Sequence, residues 1–187
     1  MDTSRQGWPT FAAVLAAAVM ADLVSKEVIF GRLGMPGMSP AIVLVPRLLA
    51  VETNLNEGAL FGMGQGLGLV FAAVSVAALA GILAMVARAD TRRSAWLVVA
   101  LGLICGGIIG NLYDRLGLPG LQWHLPPERI GQPVYAVRDW IHFTLPGVID
   151  WPIFNIADSV LVVGAGMLLT ATLTTPPDTP AANSSGV

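Results

Sequence analysis

Ser94-Ala-Trp-Leu-Val-Val-Ala-Leu-Gly-Leu-Ile-Cys-Gly-Gly-Ile-Ile-Gly-Asn-Leu-Tyr113 runs twenty residues without a charge. That is the length and polarity of a helix that crosses a bilayer. Its glycines Gly102, Gly106 and Gly110 recur every four residues, a seam of small side chains that lets a second helix approach closely. At its far end the stretch turns polar: Asn111, Asp114 and Arg115 stand at i, i+3 and i+4 and share a helix face. An apolar helix with a small-residue seam and a polar tip predicts a membrane bundle with its chemistry gathered at one end.

Three further segments extend this reading. The expected helices cover about 10–30, 67–87, 94–113 and 154–173, so the fold class is an all-α membrane protein with four transmembrane helices in a single domain, 1–173. The N-terminal stretch Phe11 to Ala21 has the look of a secretory signal. It reads as a retained helix, because three more spans follow and Asp22 and Lys26 need a bundle around them. Composition agrees: 55% of the 187 residues are hydrophobic and 12% charged, about half the usual share of charge in a soluble domain. A net charge of −2 leaves no basic field for nucleic acid. Two histidines and one cysteine are too few for a typical zinc site, and no cofactor is expected. Arg5, and the link Arg88-Ala-Asp-Thr-Arg92-Arg93, put both termini on the cytoplasmic side by the positive-inside rule. The long connections 31–66 and 114–153 then face outward. Ala41 to Val45, Leu48 to Thr53 and Pro133 to Phe143 are strand-like and predict a small extracytoplasmic β-cradle. Gly117 to Pro133 reads as an irregular loop, and 174–187 as a disordered tail.

A charge in hydrocarbon costs at least ~2.5–3.5 kcal/mol, so each one needs a reason. Asp22 and Lys26, four apart on the first helix, read as a structural ion pair. Asp114 beside Arg115 reads as a positioning network. Asn155 followed by Asp158 has the spacing of a helix cap with a partner carboxylate. Glu52, Glu57, Glu128 and Asp150 read as solvated loop charges. Cys105, ~13 Å deeper along its helix than Asp114, reads as a small buried residue. Taken one by one, these readings leave unexplained why so many polar groups collect at one membrane depth.

The chemistry that such a cluster supports is narrow. There is no Gly-x-Ser-x-Gly elbow for a serine–histidine site. The sole lysine, Lys26, has Asp22 on its own face, which opposes the lowered pKa a lysine base needs. Two carboxylates near a low-dielectric boundary cannot easily both ionise and share one proton. The ionised member can then activate water while the protonated one polarises a carbonyl. Asp139 and Asp158 flank the outer end of the fourth helix and form the best pair, with Asp150 as the alternative to Asp139. Asn111, Asn155 and Arg115 supply donors. Ion or proton transport is the rival class, but it calls for ionisable groups near the midplane. A non-catalytic scaffold is the third.

Five blocks now carry a resemblance: Asp22-Leu-Val-Ser-Lys26, Asn56-Glu-Gly-Ala-Leu-Phe-Gly62, Gly106-Gly-Ile-Ile-Gly-Asn-Leu-Tyr-Asp-Arg115, Val137-Arg-Asp-Trp-Ile141 and Phe154-Asn-Ile-Ala-Asp-Ser159. In order and content they resemble the lipoprotein signal peptidases (signal peptidase II). The resemblance implies an aspartic endopeptidase of the bacterial inner membrane, acting at the outer face as a monomer. Its implied substrates are diacylglyceryl-modified prolipoproteins, cut just before the lipidated cysteine. By motif the catalytic pair falls on Asp139 and Asp158. The supporting residues fall on Asp22, Lys26, Asn56, Asn111, Asp114, Arg115 and Asn155. Two departures stand out. Twenty-three residues separate Arg115 from Asp139, more than the family usually has, with the excess around Leu118 to Gln132. Leu60 stands where alanine is common. The inserted stretch is expected to act as a mobile lid or docking loop.

Overall fold

The computed structural model describes residues 3–58, 64 and 66–174. Among them the elements run α1 (Thr3–Leu33), β1 (Ile42–Val45), β2 (Leu49–Asn56), α2 (Gly68–Ala87), α3 (Ala89–Arg93), α4 (Ala95–Arg115), β3 (Val137–Leu145), β4 (Ile149–Asp150) and α5 (Ile156–Thr174). A 3-10 turn covers Pro127–Arg129. Three helices of the described residues, Gly68–Ala87, Ala95–Arg115 and Ile156–Leu173, are long and apolar enough to cross a membrane. The fourth expected span corresponds to α1. It has 31 residues and so reaches about 46 Å, longer than the bilayer core is thick. The tail 175–187 and Leu60 lie outside the described residues.

Helix α4 is the hub of the bundle. Its glycines are where the neighbours touch. A Cβ on Gly102, Gly106 or Gly110 would meet Val14 at 3.0 Å, Ala18 at 2.5 Å or Asp22 at 2.4 Å, so the seam meets a matching four-residue ladder on α1. Gly107 faces the other way, where a Cβ would meet the Ala157 carbonyl on α5 at 2.5 Å. Helix α2 packs more loosely, with Ala72 and Val86 its buried residues, while Leu69, Val70, Val74 and Val76 are exposed. Exposed aliphatic side chains on α2 and α5 suit a lipid surround.

The sheet is antiparallel in the order β1-β2-β3-β4. Two similar turns make its outer hairpins. Leu48 N donates to Val45 O across Pro46-Arg47, and Val148 N to Leu145 O across Pro146-Gly147. Proline presets the first central position and a positive φ completes a type II turn, 63° at Arg47 and 75° at Gly147. A bulge in β2 between Val51 and Asn54 shifts the register so that Asn54 pairs with Asp139. Three features were not expected from sequence: the short helix α3 within the arginine link, the two-residue β4, and the hydrogen bonds that cross the irregular segment Gly117 to Pro133. In that last segment Trp123 N donates to Gln132 O at 2.9 Å and Gly131 N to Trp123 O at 2.8 Å, closing the loop on itself.

Candidate active site

Strand β3 meets the start of α5 through Phe154, which accepts from Trp140 N (2.9 Å) and Ile141 N (2.8 Å) and donates to Ile141 O (3.0 Å). This backbone contact brings Asp139, two residues up the strand from Ile141, beside the first turn of α5. Asn155 caps that helix: its Oδ1 accepts from Asp158 N at 2.9 Å while Asp158 Oδ2 accepts from Asn155 N at 3.2 Å. This is a reciprocal capping box. The cap is also the bridge, because Asn155 Nδ2 donates to Asp139 Oδ1 at 2.6 Å. One asparagine therefore touches both candidate aspartates. Asn111 supports them from α4, donating to Asp158 Oδ1 at 2.8 Å and accepting from Asn155 Nδ2 at 3.1 Å and from Lys26 Nζ at 3.1 Å.

Two charged groups lie side by side here. The first is closed. Lys26, fully buried, contacts Asp22 at 2.7 Å and Asp114 at 3.0 Å. Asp114 in turn takes Arg138 Nε at 2.9 Å and Arg138 N at 3.1 Å. Asp22 Oδ1 accepts from Ala157 N at 2.9 Å, so it also satisfies an orphan amide of α5. Two buried cations thus face two buried carboxylates, and Glu27 adds an exposed contact to Arg138 at 3.1 Å. The second group is Arg115 with Asp139 and Asp158. Arg115 donates to Gly58 O at 3.1 Å and lies in the field of both aspartates. One cation against two carboxylates balances when the pair holds one proton. The Asp139 carboxyl is accordingly pushed up to about 7, by burial first and by the charge of Asp158 second, against the pull of Asn155, Lys26 and Asn56. Asn155 and Asn56 both bond this carboxyl, which is fully buried.

A cavity of about 690 Å³, within the range of ligand sites, opens onto Asn111, Arg115 and Asp158, while Asp139 and Asn155 are buried behind them. Asn56, Asn111, Arg115 and Asp158 line its polar end, and Ile108, Leu161 and Val162 its apolar side. Asp150, the alternative to Asp139, also borders it but is 78% exposed and bonded to His142 at 2.7 Å. His142 contacts Glu52 on its other nitrogen. Burial lowers the His142 pKa, but the two carboxylates outweigh this and hold it above the usual imidazole value.

The expected site residues Asp22, Lys26, Asn56, Asn111, Asp114, Arg115, Asp139, Asn155 and Asp158 gather at this end of the bundle. Asp114 and Arg115, read as one network, belong to different groups. Glu57, read as a solvated loop charge, is held by Arg129 at 2.9 and 2.6 Å. Glu52 and Asp150 likewise serve His142. Sequence reasoning missed Arg138, 2% exposed. Its signal was strand alternation: a neighbour of Asp139 must point to the opposite face, where Asp114 waits. Among the described residues no group of three or more His, Cys, Asp or Glu side chains is placed to hold a metal ion.

The family model described as signal peptidase (SPase) II matches residues 14–174, which includes every one of these side chains. A lipoprotein signal peptidase of Rhodopirellula baltica is 50% identical over 153 residues, 79% of this chain and 64% of that protein. The chain therefore spans slightly under two thirds of that relative's length. One from Desulfitobacterium hafniense is 35% identical over 131 residues, 69% of this chain and 72% of its own. A bacterial membrane enzyme solved by the in meso method superposes with a TM-score of 0.73 at 26% identity, over 96% of this chain and 94% of its own. With a match that runs from α1 through α5, this chain belongs to the signal peptidase II family.

Proposed function

We propose that the chain is an aspartic endopeptidase that removes the signal peptide from diacylglyceryl-modified prolipoproteins, cutting just before the lipidated cysteine. Four helices cross the bacterial inner membrane with both termini cytoplasmic, and the protein acts as a monomer at the outer face. The observation that carries this reading is Asn155, buried and bonded both to the buried Asp139 and to Asp158, which lines a cavity of mixed polar and apolar side chains.

Near neutral pH the pair carries one proton, held on the Asp139 side, where burial and Asp158 raise the carboxyl. Asp158, fixed by Asn111 and by the Asn155 amide, takes a proton from the attacking water as it adds to the scissile carbonyl carbon. Asp139 donates its proton toward the carbonyl oxygen. Arg115 and the Asn56 side chain border the developing oxyanion. Collapse of the tetrahedral adduct breaks the C–N bond and returns a proton to the leaving amine. The acyl chains lie against Ile108, Leu161 and Val162, where the cavity meets the lipid-facing side of α5.

The test uses the purified chain, a diacylglyceryl-modified test peptide and its unlipidated twin. Wild type is expected to cut the first and spare the second. Asp139→Asn and Asp158→Asn each lower turnover about a thousandfold while the protein still inserts and melts cooperatively. Cleavage retained by both variants removes the dyad; two variants that fail to fold favour a scaffold.

A further inference from the structure

The loop between Arg115 and Asp139 reaches the cavity wall through one ion pair. Arg129 donates two parallel hydrogen bonds to Glu57, at 2.9 and 2.6 Å, and lies 3.9 Å from the Trp123 ring centroid. A lone surface pair is worth little. This one is two-pronged and stacked on an aromatic ring, the arrangement in which arginine holds a carboxylate best. The loop presents the arginine in place: besides the bonds at Trp123, Arg129 N donates to Pro126 O at 2.9 Å and Val134 N to Leu121 O at 3.0 Å.

Glu57 sits between two residues that face the reaction. On one side Asn56 lines the main cavity, and its Oδ1 accepts from Gly58 N at 3.0 Å. On the other, Gly58 O accepts from Arg115, whose charge stands beside Asp158 and Asp139. A second cavity of about 450 Å³, bordered by Glu57, Leu69, Arg115 and Tyr135, lies behind this turn.

We propose that Arg129 is a positioning residue. The inserted loop grips Glu57 and thereby fixes Asn56, and Arg115 through Gly58, against the aspartates. This rests on the peptidase reading of the site. The loop is then a brace for the wall of the active site, and its length supplies the reach from Arg115 to Glu57.

Full-length protein in detergent is assayed with the lipidated peptide, and backbone hydrogen exchange is followed over 54–58. Arg129→Ala is expected to lower kcat about tenfold with KM nearly unchanged, because the groups displaced act on the transition state. Its melting temperature stays near wild type, and 54–58 exchanges faster. Arg129→Lys, a single point charge, falls between, and the exchanged pair Arg129→Glu with Glu57→Arg recovers part of the loss. Wild-type kcat in Arg129→Ala, or unchanged exchange over 54–58, overturns the proposal. A wild-type chain that cuts neither peptide removes the peptidase reading, while the exchange measurement still reports whether the brace holds.

Discussion

At the end of the bundle near the arginine link, Phe11, Val86, Val98, Leu101 and Cys105 form a buried cluster without a charged side chain. At the end beneath the sheet, Asp22, Lys26, Asn111, Asp114, Arg138, Asp139 and Asn155 are buried to a similar degree. Both ends join α1 and α4, yet they hold them by different means. In the apolar cluster each side chain contributes area and shape, and neighbours compensate one another. In the polar cluster each group depends on named partners, since an unpaired charge in a low-dielectric interior is costly. A helical bundle does not need the second kind of end in order to form. Its presence points to chemistry, and its division into a closed group around Lys26 and an open one around Arg115 shows which part holds shape and which part is left to react.

The most severe way to break the contrast is Lys26→Met. The variant is close in volume but leaves Asp22 and Asp114 without their shared cation. Removing one partner of a buried ion pair costs about 3–5 kcal/mol, and the loss is expected to reach α5 through the Asp22 contact to Ala157 N. Val98→Ala at the apolar end is the comparison. Thermal unfolding in one detergent should show the lysine variant much the less stable of the two. Equal losses would mean that the polar end is packed like the other.

A pH series sharpens the contrast. The Asp139 carboxyl rises from its ordinary 3.8 to about 7 on folding, so the folded chain binds its proton more tightly. Below pH ~4 both states are protonated and the group costs nothing. As pH rises toward 7 the unfolded chain releases the proton while the folded chain keeps it, so stability falls, and above 7 the full cost is present. Asp139→Asn keeps the oxygen that accepts from Asn155 and carries no charge. Relative to wild type it is expected to gain about 2–4 kcal/mol between pH 4 and pH 8. Val98→Ala should keep a constant offset over the same range. Parallel curves for wild type and Asp139→Asn would show that Asp139 meets no unusual field.

Much of the architecture was readable because hydrocarbon imposes it. Uncharged runs of bilayer length have few alternatives to helix, and the arginine link and the paired turns punctuate the rest. Residues close in sequence were also readable: Asp22 with Lys26, and Asn155 with Asp158, follow from helix geometry alone. Pairings across long loops were not. Glu57 and Arg129 are 72 residues apart, and nothing local to either names the other. Strand β4 is two residues long and exists through its turn with β3. Asp114 and Arg115 were read together because they are adjacent, but a helix turns about 100° per residue. That rotation sends one to Lys26 and Arg138 and the other to Gly58.

The mildest test separates close approach from helix propensity. Gly110 and Gly81 both lie inside helices, where alanine is intrinsically better by about 0.8–1.0 kcal/mol. At Gly81 a Cβ meets nothing within 4 Å, so Gly81→Ala is expected to raise stability slightly and leave cleavage unchanged. At Gly110 the same Cβ lies 2.4 Å from Asp22 Oδ2 and 3.3 Å from the Ala157 Cβ. Either α1 withdraws or the carboxylate rotates off Ala157 N, and overpacking of this kind costs about 1–3 kcal/mol. The sign of the effect thus reverses between two glycines of the same fold. Because Asp22 anchors the first turn of α5, which also carries Asp158, Gly110→Ala is further expected to slow cleavage more than its lost stability would predict. Melting and turnover measured on the two variants together check this, and a Gly110→Ala variant as stable and as active as Gly81→Ala would mean that the seam has more room than these distances allow.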